Sequence, residues 1–119
     1  MNIVGIIPAR MGSSRFPGKP LANIHGIPMI GHVYFRSKMA KILDDVYVAT
    51  CDQEIIDYIK SIDGKAIMTD TSHERASDRT SEALNIIESR TEQKTDIIVM
   101  LQGDEPMILP EMIDAAVQP

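Results

Sequence analysis

Residues 2–7, Asn-Ile-Val-Gly-Ile-Ile, are apolar on both faces of any strand they form, and the run stops abruptly at Pro8. A strand apolar on both sides needs cover on both sides, the condition of a strand inside a parallel sheet sandwiched by helices. The rest of the chain supplies matching pieces. Pro28 opens a helix with Met29, Ile30, Val33 and Tyr34 on one face and Arg36, Lys38 and Lys41 outside it. Val46 to Thr50 reads as a second strand, and Asp52 as the N-cap of a helix whose stripe is Ile55, Ile56, Ile59 and Ile62. Gly64 ends that helix, and Lys65 to Met68 is a short third strand.

A polar stretch, Thr69 to Asp78, leads into a helix with Ala83, Leu84, Ile86 and Ile87 as its core face. Ile97 to Leu101 is a fourth strand apolar on both faces, Gln102 to Pro106 is a loop, and Pro110 opens a last short helix. Leu21 to Gly26 reads as a turn. Strand and helix alternate throughout, so the expected fold is α/β, a mostly parallel, Rossmann-like sheet with helices on both sides. At 119 residues and 44% hydrophobic content the chain suits one domain.

In such sheets ligands sit beyond the carboxyl ends of the strands. The first of these loops, Pro8 to Pro20, carries Arg10, Arg15 and Lys19 around Gly12, Ser13 and Ser14. Small residues let backbone N–H groups approach an anion; arginine offers a planar fork and lysine a point charge. A solvated surface loop accounts for any one of these cations. All three directly after a buried strand point to a nucleoside triphosphate. The P-loop pattern is excluded, because five residues separate Gly12 from Gly18 and Lys19 is followed by Pro20.

Charge distribution agrees. The net charge is −5, yet residues 1–43 hold six cations and no acid, and all 17 acidic residues lie from Asp44 onward. That is a local phosphate site rather than a nucleic-acid surface. Cys51 is the only cysteine, which rules out an internal disulfide and fits a reducing, cytoplasmic setting; a small buried apolar role suits it better than a nucleophile's. His25, His32 and His73 are too scattered for a zinc site. No apolar run approaches the ~20 residues a bilayer needs, and no basic segment precedes the first apolar run, so no membrane partner is expected.

Three blocks carry a family resemblance: IIPAR with R-x-P-G-K-P-L at 6–21, V-A-T at 48–50, and Q-G-D-E-P-M-I at 102–108. With these the chain resembles the N-terminal half of the bacterial sugar-acid cytidylyltransferases, above all the 3-deoxy-manno-octulosonate (KDO) branch of lipopolysaccharide precursor synthesis. The resemblance implies transfer of a cytidylyl group from CTP to a sugar-acid hydroxyl with release of pyrophosphate. It implies that Arg10, Arg15 and Lys19 hold the triphosphate and stabilise the leaving pyrophosphate. Pro8 and Ala9 would lie near the nucleoside, Gln102 against substrate, and Asp104 on Mg²⁺.

The third loop reads H-E-R-A-S-D-R-T-S-E-A from His73 to Ala83. The family pattern there is H-x-S-G-T-[DE]-R-x-x-E, which places Ser77 and Arg79 at the nucleotide. Arg75 and Ala76 stand where the pattern has Ser and Gly, which leaves base and acceptor choice open, including a sialic-acid type. Asp78 and Glu82 also read as a capped helix with an ordinary surface face. The resemblance implies chains about twice this length, whose C-terminal half supplies acceptor contacts, a further metal-binding aspartate and a homodimer surface. A fragment, or a short form that binds nucleotide without efficient turnover, are both open.

Overall fold

A computed structural model describes residues 2–11, 19–24, 26–70, 76–92 and 94–101. The first strand, β1, spans Ile3–Pro8 and is buried through Ile7. After it come a 3₁₀ turn, Lys19–Leu21, and a minimal antiparallel hairpin of β2 (Asn23–Ile24) and β3 (Ile27–Pro28). This hairpin occupies the stretch read as a turn, and Gly26, at φ +83°, supplies its left-handed residue. The first helix, α1, spans Met29–Lys38, with Pro28 as its N-cap rather than its first turn.

The second long strand, β4, is Asp45–Thr50; α2 is Gln53–Ser61, β5 is Ala66–Met68, α3 is Ala76–Thr91 and β6 is Ile97–Met100. The four longer strands form one sheet in the order β5-β4-β1-β6, every pair parallel. Val4 to Pro8 pair with Asp45 to Ala49, and Ile3 to Ile6 pair with Ile97 to Met100. The expected parallel sheet is therefore present, with β1 inside it.

The sheet has a core on each face. Ile30, Val33, Ile55 and Ile59 from α1 and α2 pack on Ile7, Val46 and Val48. Ala83 and Ile87 from α3 pack on Val4, Ile6, Tyr47 and Ile67 on the other face. Burying each such side chain contributes roughly 1.5–3 kcal/mol. The switch of face between α2 and α3 returns the chain to the far side of β1. The sheet's topological switch point thus lies between β1 and β6, and the crevice outside their carboxyl ends is the natural ligand position.

Two local expectations change. The stop of α2 is a Schellman turn: Asp63 N–H donates to Lys60 O at 3.1 Å and Gly64 N–H to Ile59 O at 2.8 Å. The left-handed residue is Asp63, at φ +59°, not Gly64. Gly64 is needed for space, since a Cβ there would sit 2.6 Å from Ile59 Cγ2 and 3.0 Å from Ile59 O. The second change is in β6, whose sequence is apolar on both faces. Ile98 and Met100 are 40% and 45% exposed. Among the described strands β6 is an edge, with no described helix covering that side.

Candidate active site at the carboxyl ends of the strands

Backbone bonds continue past the strand ends and hold them in one row. Ala9, buried just beyond Pro8, donates its N–H to Ala49 O at 3.0 Å. Thr69 N–H donates to Thr50 O at 2.9 Å, and Leu101 N–H to Ile6 O at 2.9 Å. Ala9 and Leu101, the residues that directly follow β1 and β6, therefore stand at the same end of the sheet.

Arg10 is half-buried in the first of these segments, and the next residue is fixed by a carboxylate from another strand end. Met11 N–H donates to Asp52 Oδ2 at 2.7 Å. The Cys51 thiol lies 3.8 Å from the same oxygen. Asp52 N–H in turn donates to Oγ1 of Thr50, at 3.1 Å. Asp52 occupies the N-cap position of α2, and its carbonyl accepts from Ile55 and Ile56 N–H, both at 3.2 Å. Its side chain makes no capping hydrogen bond. The expected side-chain cap is thus corrected: the carboxylate is taken by Met11, whose charge-assisted bond outcompetes a helix N–H that water can reach. Sequence reading missed Asp52 as a site residue because its partner is 41 residues away.

The exit of β5 is fixed in a parallel manner. Asp70 N–H donates to Glu82 Oε1 at 3.0 Å, which ties the exit of β5 to α3. Of the two readings of Glu82, the structure gives it a loop-holding role. Because α3 starts at Ala76, Ser77 and Arg79 stand in its first turn rather than in a loop, a correction to the expected polar stretch through Asp78. Ala76 needs no left-handed backbone; Asp63, Glu92 and Gly26 are the described residues with positive φ. Ser77 is exposed, while Arg79 is only 3% exposed. The Oγ1 atoms of Thr69 and Thr80, both buried near this end, have no hydrogen-bond partner among the described residues.

Pro8, Ala9, Arg10, Ser77 and Arg79 therefore stand at the carboxyl end of the sheet, on β1, on the segment after it and on α3. Lys19 opens the 3₁₀ turn. Gly12, Ser13, Ser14, Arg15, Gln102 and Asp104 lie outside the described residues. Among the described residues no group of three or more His, Cys, Asp or Glu side chains could hold a metal ion, and no helix is long and apolar enough to cross a membrane.

Comparison with known proteins places this architecture. The sequence model of the cytidylyltransferase family matches residues 4–119. The chain belongs to the cytidylyltransferase family. It is 50% identical over 119 residues to the 3-deoxy-manno-octulosonate cytidylyltransferase of Trichlorobacter lovleyi, covering 100% of this chain and 45% of that protein. It is 48% identical over 117 residues to the 8-amino-3,8-dideoxy-manno-octulosonate cytidylyltransferase of Shewanella pealeana, covering 98% of this chain and 46% of the other. The structure of a CMP:2-keto-3-deoxy-manno-octonic acid synthetase complexed with CTP superposes with a TM-score of 0.83 at 43% identity, over 97% of this chain and 45% of that one. The chain thus spans just under half the length of the relatives it matches. The superposition agrees with the parallel α/β sheet expected from the strand and helix pattern and with the fold that the resemblance implies.

Proposed function

We propose that the chain is the nucleotide-binding half of a CTP-dependent cytidylyltransferase whose acceptor is KDO or a close sugar acid. The observation that carries this is the likeness to the CTP-complexed synthetase at 43% identity over nearly the whole chain. The geometry supports it: Arg10, the first of the cations after β1, stands at the carboxyl end of the sheet, and Asp52 holds the next residue, Met11.

In this reading Arg10, Arg15 and Lys19 bind the triphosphate, with backbone approach at Gly12, Ser13 and Ser14. Pro8 and Ala9 face the nucleoside, and Ser77, Arg79 and Gln102 contact nucleotide or acceptor. The sugar hydroxyl attacks the α-phosphorus in line. A new bond forms from that oxygen, the bond to the β-phosphate oxygen breaks, and pyrophosphate leaves while the hydroxyl proton passes to solvent. The protein's share is positioning and neutralisation of charge on the departing pyrophosphate. Mg²⁺, with Asp104 as its protein carboxylate, would add further neutralisation when bound. A cytoplasmic enzyme of surface-polysaccharide precursor synthesis, homodimeric in its longer form, completes the proposal.

A second reading is favoured by the span of the match, under half of each relative. In it this chain binds CTP and turns over little by itself, because acceptor positioning, worth up to roughly 7–11 kcal/mol of barrier, comes from the other half. Pyrophosphate release with CTP, Mg²⁺ and a panel of sugar acids, on this chain and on a longer natural form, tests both. Release by the longer form alone is expected. No release by either form with any sugar acid overturns the cytidylyltransferase reading, and brisk turnover by this chain overturns the second. Lys19→Ala is expected to weaken CTP by about 2–3 kcal/mol while sparing cytidine. Equal loss for nucleoside and triphosphate overturns the phosphate role.

A further inference from the structure

The amino end of the sheet, opposite the candidate active site, carries a cavity of its own. It is half-open to solvent and offers about 250 Å³ between the end of α2, the turn at Gly64, β5 and the last turn of α3. Its floor is apolar, with Tyr47, Ile67 and Ile87; Lys60, Lys65 and Arg90 also line it. A cavity of roughly 150 Å³ already holds a benzene ring, so a substituted ring fits here.

The charge around this floor is one-sided. No carboxylate occurs among the described lining residues. A counter-charge beside the lining is Asp45, whose carboxylate is held by Lys65 Nζ at 2.6 Å. That ammonium also stands 5.4 Å from the centroid of the Tyr47 ring, fixing it at the rim. Lys60 and Arg90 have no ion pair among the described residues. In a chain of net charge −5, two cations without ion pairs among the described residues thus flank one apolar floor, where an anion between them would relieve their repulsion. A guanidinium offers paired donors to phosphate or carboxylate oxygens, and a lysine adds a point charge.

We propose that this cavity is a binding site for a small aromatic anion, a phosphate or carboxylate carried on a flat apolar body. The ring would lie over Tyr47, Ile67 and Ile87, and the anionic group would sit between Lys60 and Arg90. The site is separate from the strand ends that carry the nucleotide reading and does not depend on it.

Amide chemical-shift titration of the ¹⁵N-labelled chain with phenyl phosphate and with benzoate, in the presence of CTP, tests this. Saturable shifts of the Tyr47, Ile67 and Ile87 amides are expected with at least one of the two anions. Benzyl alcohol, which lacks the charge, should bind about tenfold more weakly. Lys60→Ala and Arg90→Ala, both exposed positions that leave the core intact, should each weaken the anion about fivefold. Arg36→Ala on α1 should change nothing. Absent shifts at the cavity, equal binding of benzyl alcohol, or unchanged affinity in both variants overturns the proposal. Shifts confined to Ala9–Met11 would place the anion in the nucleotide segment, which also overturns it while leaving the cytidylyltransferase reading standing.

Discussion

At the amino end of the sheet, Asp44 Oδ2 accepts from Ile3 N–H at 2.7 Å and Asp96 Oδ2 from Asn2 N–H at 2.6 Å. At the carboxyl end, Asp52 accepts from Met11 N–H at 2.7 Å and Glu82 from Asp70 N–H at 3.0 Å. The chemistry is the same in all four: a carboxylate captures a backbone donor distant in sequence. The placement differs. Asp44 and Asp96 directly precede β4 and β6 and grip the start of β1, so they fix where three strands begin. Asp52 stands at the start of α2 and Glu82 in the second turn of α3, and both grip residues just past strand ends, so they fix where loops depart. One device therefore serves stability at one end and site geometry at the other.

The strongest perturbation should erase the distinction. Ile7→Ala removes a fully buried side chain from β1, an interior strand of the sheet, and is expected to cost about 2–5 kcal/mol by denaturant unfolding. Both ends should loosen together, read as faster amide exchange at Ile3 and at Met11. If only one end loosens, the two are not joined through β1.

Asp52→Ala sharpens the contrast. Met11 N–H loses a charged acceptor, and CTP affinity should fall by about 1.5–3 kcal/mol, the range for such bonds, with the melting temperature little changed. Asp52→Asn keeps an oxygen at the position and should recover part of the affinity. A large melting shift with unaltered CTP binding would make Asp52 a structural residue like its amino-end counterparts.

Asp44→Ala is the reciprocal test. Asp44 is exposed, so water replaces part of the lost bond, and the expected cost is about 1 kcal/mol of stability. CTP affinity should not move. A drop in calorimetric CTP affinity at unchanged stability would refute the division of labour.

The smallest effect concerns Lys65 and Asp45, also at the amino end. The hydrogen bond to Asp45 raises the Lys65 pKa above its ordinary 10.5. The pair's stabilisation is therefore complete below that ordinary value and is lost as pH climbs through the raised one. The lysine side chain is 51% exposed, so solvent screening keeps the contribution to about 0.2–1 kcal/mol. Asp45→Asn should lower the melting temperature slightly at pH 8, with the gap from the parent closing in strong alkali. A gap that persists there would assign the loss to packing instead.

These contrasts explain what the sequence makes legible. The strands β1 and β4 and the stripe of α2 announce themselves because burial is written in consecutive or periodic residues. The site's position follows from the same pattern, since parallel strands fix which loops share an end. Asp52 was legible only as a helix start: an aspartate before a helix is a local signal, and nothing near it names Met11 as its partner. The start of α3 was set too late because Ser77 and Asp78 are polar, although a first turn readily accepts such residues. In β6, Ile98 and Met100 are apolar yet exposed, because composition reports what a residue prefers and not whether a neighbour is there to cover it.

The pairing of β1 with β6 also bears on how the chain assembles during synthesis. Asn2 meets Asp96 across a separation of 94 residues, whereas β4 follows β1 after a 3₁₀ turn, a short hairpin and one α-helix. At translation rates of about 5–20 residues per second, several seconds separate the emergence of β1 from that of its second neighbour. For that interval the nascent sheet offers one side of β1 as an unpaired edge, lined by Ile3, Val4 and Ile6. The strand around which the fold is built is thus also its most aggregation-prone segment until the last described strand arrives.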